Sequence, residues 1–301
     1  MENQAKSPFT SGFVAVMGRP NVGKSTLINS LMGQKIAAVS PKPQTTRKRQ
    51  LGILTLPDTQ IIFVDTPGIH QPRHKLGESM NKQAREALEA SDLILFLVDA
   101  SQRPTDEDRI LIDLLHEMKG KVPTILAFNK IDQVEMEILG QNEQEFLSQM
   151  PEVIPLRISA TRGDNLGILI DLIRMRLPKS QALYPEGQVT DLYERDIASD
   201  LIREAALINL RDEIPHGITV RIDEFTERNE HGAYIAATIF VERESHKPIV
   251  IGQSGGMLKK IGSSARAEIE KMSGRKVFLQ LKVKVRKNWR NNEKILRWFG
   301  Y

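Results

Sequence analysis

The sequence predicts an α/β domain, with a mostly parallel sheet covered by helices on both faces, followed by a smaller α+β domain. Three observations support this division. The chain has 301 residues, more than the ~250 that one hydrophobic core usually serves. Up to residue 178, short apolar segments alternate with helical patterns, which is typical of a parallel sheet. After a proline- and glycine-containing stretch, the predicted order becomes helix, strand, strand, helix, loop, helix, strand. We expect a first domain at 11–178, a linker at 179–190 and a second domain at 191–301.

The elements of the first domain follow from hydrophobic periodicity. Strands are predicted near 13–17, 51–55, 61–65, 93–98, 124–128 and 153–158. Helices are predicted near 24–31, 77–89, 105–118, 142–149 and 165–176. Polar motifs follow several of these strands, and ligands bind at the carboxyl ends of strands in such sheets.

Composition narrows the class of protein. The chain has no cysteine, which excludes disulfides, thiol catalysis and thiolate metal sites and fits a cytoplasmic protein. Residues 1–11 are polar and lack the apolar core of a signal peptide. No apolar run approaches the ~18 residues of a membrane span, so we expect a soluble protein. Nothing in the sequence requires more than a monomer.

A loop bracketed by glycines follows the first predicted strand. It consists of Gly18, Arg19, Pro20, Asn21, Val22, Gly23, Lys24 and Ser25, with Thr26 next. Such a backbone wraps phosphate oxygens, and the amides and the following helix N-terminus face the anion. Lys24 is expected to neutralise the β- and γ-phosphates, and the Ser25 hydroxyl to bind Mg²⁺. The Asn21 carbonyl oxygen is a candidate ligand for K⁺; a role in capping the loop is equally supported.

A second motif, Asp65-Thr66-Pro67-Gly68, ends the strand at 61–65. Asp65 fits a carboxylate that holds Mg²⁺ through water, and the Gly68 amide fits a donor to the γ-phosphate. Thr45 and Thr46 lie between the two motifs, and one of them is expected to complete the Mg²⁺ shell; we favour Thr46. The predicted catalytic set is therefore Lys24, Thr46, Asp65 and Gly68.

The third and fourth motifs specify the base. Asn129-Lys130-Ile131-Asp132 follows the strand at 124–128, and Ser159-Ala160 follows the strand at 153–158. Guanine offers N1–H and an exocyclic amine that one carboxylate, Asp132, can accept together. Asn129 is expected to tie this motif to the phosphate loop, Lys130 to cover one face of the base, and the Ala160 amide to donate to guanine O6. The four motifs together predict a protein that binds GTP or GDP and hydrolyses GTP.

Many GTPases place a glutamine directly after Asp-x-x-Gly to orient the attacking water. Here that position is Ile69, and an aliphatic side chain cannot polarise water. No arginine finger is evident in the sequence either. We therefore predict slow intrinsic hydrolysis that another molecule stimulates.

The second domain contains a Gly-x-x-Gly loop between two predicted helices. The helix at 191–212 has an apolar face of Ile197, Leu201, Ala205 and Ile208, and two strands follow it. The loop and its flanks comprise Ile249, Val250, Ile251, Gly252, Gln253, Ser254, Gly255 and Gly256. This order is that of a type II KH domain, in which the loop clamps a single-stranded RNA backbone and an apolar strip lines a groove for bases.

The C-terminal segment is strongly basic. Residues 275–301 contain nine Lys or Arg and one acidic residue, Glu293, a net charge of about +8, whereas the whole chain carries +4. Clustered cations beside a KH groove favour contact with RNA phosphates, and aromatic side chains there favour stacking on bases. The predicted RNA contacts outside the loop are Lys259, Lys260, Lys282, Lys284, Arg286, Trp289 and Arg290.

These motifs resemble the Era family of bacterial GTPases over nearly the whole chain. The resemblance is carried by the phosphate loop, Gln44-Thr45-Thr46-Arg47, Asp65-Thr66-Pro67-Gly68-Ile69-His70, Asn129-Lys130-Ile131-Asp132, Tyr184-Pro185-Glu186, Val241-Glu242-Arg243, Phe299-Gly300-Tyr301 and the type II KH domain. It implies binding to the 3′ end of small-subunit rRNA, a role in 30S maturation, coupling of GTP binding to RNA binding, and peripheral association with the inner membrane.

Two other functions stay open. The chain could be an RNA-binding assembly factor in which GTP is mainly structural, since Ile69 cannot orient water. A GTPase that serves an RNA-modifying enzyme is less favoured, because the chain lacks a catalytic cysteine and a methyl-donor site.

Overall fold

The computed structural model describes residues 9–40, 42, 45–69, 72, 74–118, 121–212, 214–229 and 232–301. Within these residues the chain forms two compact units. The first comprises Met1–Gly33, Lys48–His70 and Asn81–Asp191; the second comprises Gln34–Arg47, Gln71–Met80 and Leu192–Tyr301. Two segments of the predicted first domain, 34–47 and 71–80, group with the C-terminal unit in this division.

The first unit is built on a six-stranded sheet with the order β2-β3-β1-β4-β5-β6. Every adjacent pair is parallel except β2 with β3. The strands are β1 (Thr10–Met17), β2 (Gln50–Leu56), β3 (Thr59–Asp65), β4 (Leu93–Asp99), β5 (Thr124–Asn129) and β6 (Ile154–Arg157). Strands β3 and β4 are buried along their whole length, as strands covered on both faces should be. The prediction of a mostly parallel sheet is confirmed.

Five helices accompany this sheet, namely α1 (Lys24–Met32), α2 (Lys75–Glu89), α3 (Asp106–Glu117), α4 (Met136–Gln149) and α5 (Leu166–Arg174). Helix α4 begins six residues before its predicted start because Gly140 and Asn142, both poor helix formers, obscure the pattern. Asn142 is buried and its amide donates to the Ala100 carbonyl at 2.9 Å. Tertiary contact thus overrides local propensity there.

The segment at 179–190, predicted as a linker, is fixed along one edge of the first unit. The Gln60 side chain, fully buried in β3, accepts from the amides of Leu183 and Tyr184 at 2.7 and 2.9 Å. The Ile53 amide donates to the Val189 carbonyl at 2.9 Å. This stretch is therefore an ordered part of the first unit.

The second unit has the element order of a type II KH domain, which the sequence predicted. Its elements are α6 (Glu194–Asn209), β7 (Thr219–Asn229), β8 (Gly232–Val241), α7 (His246–Ile251), α8 (Gly256–Ser273), β9 (Lys276–Val285) and α9 (Glu293–Trp298). The sheet order is β7-β8-β9, with β7 and β8 antiparallel and β8 and β9 parallel. Residues 230 and 231, between β7 and β8, lie outside the described residues.

Helices α6 and α8 cover one face of this sheet and form the main core of the unit. Ile197, Leu201 and Ala205 of α6 are buried there, as predicted, but Ile208 is exposed. The helix ends at Asn209, and Leu210 takes the buried position instead. The six-residue helix α9 was not predicted, because it is shorter than two turns and lies in a charged sequence.

Candidate nucleotide and RNA sites

The phosphate loop leaves the carboxyl end of β1, the central strand at which the strand order reverses. Gly18 and Gly23 have φ of +150° and +105°, and Asn21 has φ of +65°. A Cβ at Gly18 would lie 2.3 Å from the Leu97 carbonyl oxygen, and one at Gly23 would lie 2.3 Å from Asn129 Nδ2. The loop can therefore keep this path only with glycine at both positions.

Lys24 is buried at the start of α1 and folds back over the loop. Its Nζ donates to the carbonyls of Gly18 and Arg19 at 2.8 and 3.1 Å. Burial lowers the pKa of Lys24 to about 8, although Asp65 and Glu107 oppose that shift. Phosphate oxygens would supply a negative charge that stabilises this buried ammonium, so the geometry suits an anion in the loop.

The two predicted Mg²⁺ ligands of the first unit lie together. Ser25 Oγ donates to Asp65 Oδ2 at 3.0 Å, and Asp65 is buried at the end of β3. A hydroxyl and a carboxylate are oxygen donors of the kind that Mg²⁺ binds. Gly68 lies beside Pro20 of the phosphate loop, with an added Cβ 3.4 Å from that ring. The first two motifs are thus adjacent in space.

Two residues predicted to bind nucleotide have structural contacts instead. The Thr66 hydroxyl is buried and donates to the Val16 carbonyl at 2.8 Å, which anchors the second motif to β1. The Arg19 guanidinium contacts Asp108 Oδ2 at 3.3 Å and donates to Gln102 Oε1 at 2.6 Å. These contacts direct the Arg19 side chain to the start of α3.

Asn129 joins the phosphate loop to the base-recognition loops, as the sequence predicted. Its Nδ2 donates to the Val22 carbonyl at 2.7 Å, and its Oδ1 accepts from the Ala160 amide at 2.9 Å. The Ala160 amide, predicted to donate to guanine O6, is therefore already engaged in this structure. A contact with O6 requires Ala160 to redirect or share that hydrogen.

Asp132 and Lys130 occupy positions suited to the base. Ser159 Oγ donates to Asp132 Oδ1 at 2.6 Å, and this hydrogen bond lowers the pKa of Asp132. Lys130 has φ of +69° and its Nζ contacts Asp99 Oδ2 at 2.7 Å, which holds the side chain extended. Ser159 thus orients the carboxylate. Sequence reasoning missed Asp99 as the partner of Lys130. Its position at the carboxyl end of β4 was the available signal.

Ile69 packs into the hydrophobic core of the first unit. It is buried in a cluster that includes Met17, Phe96 and Leu111. The side chain at this position therefore lies among apolar groups, which agrees with the expectation that it does not orient water. His70 lies outside the described residues, as do Pro43 and Gln44 of the family-like sequence.

Thr45 and Thr46 belong to a segment that is held by the second unit. Thr45 Oγ1 donates to the Lys42 carbonyl at 2.8 Å, a contact within a local turn. Arg203 of α6 donates to the Thr45 carbonyl. The buried Arg47 donates to the carbonyls of Ile218 and His216 at 2.7 and 3.1 Å.

The start of the same segment is held by acidic side chains of α6 and α8. Lys35 Nζ contacts Glu204 Oε1 at 2.7 Å and Glu268 Oε2 at 2.8 Å. The Val39 amide donates to Glu204 Oε2 at 3.1 Å. Burial raises the pKa of Glu204 despite the opposing charge of Lys35. Sequence reasoning missed Arg203 and Glu204; two charged residues within the apolar stretch of α6 were the available signal.

The Gly-x-x-Gly loop has the geometry of a phosphate contact. Gly252 and Gly255 have φ of +74° and +79°, and a Cβ at Gly252 would lie 2.6 Å from Met257 Cβ. Gln253 and Ser254 are exposed, and helix α8 begins at Gly256, so its N-terminal amides face the loop. Lys259 and Lys260 are exposed on the first turns of α8. A helix N-terminus beside exposed lysines favours an anion.

Several predicted RNA contacts are not part of this loop surface. Ile249 is 50 % exposed, but Val250 is fully buried in the core and cannot line a groove. Trp289 is fully buried, with its Nε1 donating to the Gly217 carbonyl at 3.0 Å, so it cannot stack on a base. Arg290 is paired with Glu242.

Lys282 and Lys284 are exposed on the sheet face opposite the helices, since Val283 points into the core. Arg286 follows them beyond the end of β9. Alternation along a strand makes this outcome inevitable once one face is buried. The predicted RNA residues therefore divide between two surfaces.

Comparison with known proteins matches the chain to a GTPase family and to a KH domain family. Residues 13–130 match the family described as 50S ribosome-binding GTPase, and residues 213–290 match the KH domain family. GTPase Era of Geobacter metallireducens is 46% identical over 298 residues, which cover 98% of this chain and 99% of that protein. The chain belongs to the Era family of GTPases. Era of Halothermothrix orenii is 47% identical over 295 residues, covering 97% of this chain and 99% of that protein.

Two solved Era structures share the whole fold. One is a complex of Era with MgGDPNP and nucleotides 1506–1542 of 16S ribosomal RNA; the other is an Aquifex aeolicus Era variant bound to GDP and AlF₄⁻. Each has a TM-score of 0.92 and 40% identity, and covers 97% of this chain and 99% of the other. This Era-family chain is thus a P-loop GTPase with a C-terminal KH domain. No helix in the described part of the chain is long and apolar enough to cross a membrane.

Proposed function

We propose that this protein is a GTP-hydrolysing switch that binds single-stranded RNA at the 3′ end of small-subunit rRNA and assists 30S maturation. Membership of the Era family supports the reaction, and the rRNA complex of a 40%-identical Era supports the ligand. The RNA strand would lie on the Gly-x-x-Gly loop, where the start of α8 and the exposed Lys259 and Lys260 offer an anion site.

The nucleotide and its metal would be held by residues that the structure brings together. The loop from Gly18 to Ser25 would cradle the phosphates, with Lys24 against them. Ser25 and Asp65 would hold Mg²⁺, joined by Thr46 in the GTP state. The ion would neutralise charge on the β- and γ-phosphates. Asp132 would select guanine.

The proposed switch rests on one observation about the segment that contains Thr45 and Thr46. Arg203 of the RNA-binding unit donates to the Thr45 carbonyl, and Arg47 of the segment donates to the Ile218 carbonyl. A threonine that moves to Mg²⁺ would act on those contacts, so GTP and RNA affinities would be linked. Leu76 and Met80, at the start of α2, are likewise buried with Trp289 and Phe299 of the RNA-binding unit.

The test is binding of the full chain to a labelled RNA from the 3′ end of small-subunit rRNA, with a non-hydrolysable GTP analogue or with GDP. We expect tighter binding with the analogue. Gly255→Asp should weaken binding at least tenfold, because the added carboxylate faces the phosphates. Gly274→Asp is the matched control: Gly274 ends the same helix with φ of +69° and, like Gly255, has open space around it. Equal RNA affinity in the two nucleotide states would contradict the switch.

The alternative, in which GTP is mainly structural, makes a different prediction for turnover. Phosphate release measured with and without the same RNA separates the two. RNA-stimulated release, starting from a slow intrinsic rate, supports the switch. Release that RNA leaves unchanged supports the structural role.

We also propose that the protein is a monomer that touches the anionic inner membrane peripherally. The net charge of about +8 in residues 275–301 supports attraction to acidic lipid. Analytical ultracentrifugation and co-sedimentation with anionic or zwitterionic vesicles test the two statements. A stable dimer would contradict the first, and equal binding to both vesicle types would contradict the second.

A further inference from the structure

The face of the C-terminal sheet opposite α6 and α8 carries an unusual set of solvent-facing side chains. We call it the outer sheet face and define it by Tyr234, Ala236, Phe278, Gln280, Lys282 and Lys284. Register pairs Tyr234 with Phe278 and Ala236 with Gln280 across β8 and β9, and it places the buried Thr238 beside Lys282. The C-terminal residues Trp298 and Phe299 cover the next position, Phe240.

Two aromatic rings form a platform at one end of this face. The rings of Tyr234 and Phe278 are stacked, with centroids 5.8 Å apart and an interplanar angle of 17°. Phe278 is 66 % exposed. Tyr234 is fixed by its hydroxyl, which donates to Gln280 Oε1 at 2.6 Å, and by Arg228, whose Cζ lies 5.1 Å from its ring centroid. An oriented aromatic surface kept in water is the kind of surface on which bases stack.

Charge on this sheet is divided between its edges. Strand β9 carries Lys276, Lys282 and Lys284, all exposed, and Arg286 follows. Strand β7, at the opposite edge, carries exposed acidic residues at 223, 224 and 227. Arg221 and Arg228 of the same strand offset part of that negative charge, so a polyanion is attracted more strongly along β9 than along β7.

The far end of the basic row is held in place by Trp298. The Cζ atoms of Arg221 and Arg286 lie 4.1 and 5.6 Å from the Trp298 ring centroid. These cation–π contacts order two guanidinium groups beside Lys284. From Phe278 to Lys284 the strand spans roughly 20 Å, enough for several nucleotides.

We propose that the outer sheet face binds a second segment of single-stranded RNA along β9. Bases stack on the exposed ring of Phe278, which Tyr234 supports from the neighbouring strand, and phosphates contact Lys282 and Lys284. Helix α7, which precedes the Gly-x-x-Gly loop, packs beside β9, so one strand can pass from that loop around the β9 edge. The inference rests on the proposed RNA-binding function and adds a second surface to it.

The experiment compares three RNAs on the full chain with a bound GTP analogue. The first is a short oligonucleotide from the 3′ end of small-subunit rRNA. The second carries a single-stranded extension on its 5′ side, and the third carries an abasic extension of equal length, which keeps the phosphates but has no bases. We expect the extension with bases to tighten binding about tenfold and the abasic one much less, since stacking needs the base.

Two variants locate the gain on the outer sheet face. Phe278→Ala should remove most of the gain of the extended RNA and leave the short RNA unaffected. The double variant Lys282→Gln with Lys284→Gln should lower the slope of log affinity against log salt by about 1.4 for the extended RNA, at about 0.7 for each phosphate of a single strand. Tyr193→Ala and Lys271→Gln are controls, because both residues are exposed elsewhere in the same unit.

The outcomes separate this inference from the proposed function. Loss of all RNA binding would defeat the proposed function itself. Two results would overturn the second surface alone. One is normal binding of the short RNA with no gain from the extension, and the other is an equal gain from the abasic extension. Binding of anionic vesicles that Phe278→Ala abolishes, with RNA binding unchanged, would assign the face to a membrane and overturn it as well.

Discussion

Arg47 places its guanidinium over the indole of Trp289, with Cζ 5.6 Å from the ring centroid. Three consecutive backbone carbonyls bind this pair: those of His216 and Ile218 accept from Arg47, and that of Gly217 accepts from Trp289. A residue beside the predicted Mg²⁺ ligand is thus part of the core of the C-terminal unit. Burial lowers the pKa of Arg47, and contact with Tyr301 opposes that shift.

Replacing Arg47 should destabilise the C-terminal unit. Arg47→Ala removes two hydrogen bonds of a charged donor and the contact with Trp289, for a loss of about 2–3 kcal/mol in the free energy of unfolding. Arg47→Lys should lose less, although one ammonium cannot reproduce the planar fork. Urea unfolding followed by tryptophan fluorescence, to which Trp289 and Trp298 both contribute, measures both. Arg49→Ala is the control, at an exposed position two residues further along the chain; it should change the free energy of unfolding by no more than about 0.5 kcal/mol. An equal loss of stability in the two alanine variants would contradict the anchoring role of Arg47.

Nucleotide binding should be accompanied by uptake of a proton at Lys24 above about pH 8. The folded pKa of Lys24 is about 8, below its ordinary 10.5, so the free protein loses this proton first as pH rises. Phosphates favour the charged form and raise the pKa again, so affinity for GDP should fall as pH rises beyond about 8. For the same reason, the contribution of Lys24 to the stability of the unliganded protein should rise as the pH increases from about 8 to about 10.5. In that window the unfolded chain still holds the proton and the folded chain does not, so raising the pH favours the folded state.

Calorimetric titration of GDP at about pH 8 in two buffers of different ionisation enthalpy measures this proton uptake, which should be about half a proton. The same titration at about pH 7 should show much less, because Lys24 is then already charged. Heats that do not depend on the buffer at about pH 8 would contradict the assigned pKa.

Alanine at the two loop glycines should abolish nucleotide binding. The new Cβ at Gly18 or Gly23 would meet the Leu97 carbonyl or Asn129 at 2.3 Å, so the loop must move away from its cradle. We expect at least a hundredfold loss of GDP affinity, measured with a fluorescent analogue. Gly33→Ala and Gly163→Ala are controls with φ of +65° and +83° and no atom within 4 Å; they should lose about 1 kcal/mol of stability and keep affinity.

Asp132→Asn should exchange guanine for xanthine as the preferred base. The side-chain amide of this variant would donate where the native carboxylate accepts, which opposes the guanine amine and suits the C2 carbonyl of xanthine. Competition between GDP and xanthosine diphosphate measures the change, expected to exceed a hundredfold in the ratio of affinities. Ser159→Ala keeps the carboxylate of Asp132 but removes the hydrogen bond that orients it, together with the bond that Ser159 Oγ accepts from the Arg162 amide. This variant should bind GDP severalfold more weakly without a change of base. Unchanged base preference in Asp132→Asn would contradict the assignment.

The nucleotide motifs could be predicted because their chemistry is local. Gly18 to Ser25 forms a cradle within eight residues, and the four motifs meet because parallel strands end at one edge of the sheet. The hydrogen-bond partners of individual polar groups could not be predicted in this way. The Thr66 hydroxyl donates to the Val16 carbonyl, and the Ala160 amide donates to Asn129 Oδ1. The motifs did not indicate either contact, since a polar group buried by folding takes a partner that only the tertiary structure supplies.

The RNA residues show the same limit. Charge and aromatic content placed Trp289, Lys282 and Lys284 at one site. Trp289 is instead the centre of a hydrophobic cluster with Phe240 and Phe299. Composition shows which side chains the chain has, but packing decides which of them are exposed to solvent.

The sequence by itself determined the two domain types, the order of their elements, the phosphate loop, the guanine motif and the Gly-x-x-Gly loop. Each depends on residues close together in the chain, where glycine conformation and hydrophobic period act directly. Only the tertiary structure decided that residues 34–47 and 71–80 group with the C-terminal unit, and which sheet face each lysine occupies. Those outcomes rest on partners as distant as Arg47 and Ile218, and pairing across such a separation depends on how the whole core packs, which no local pattern encodes.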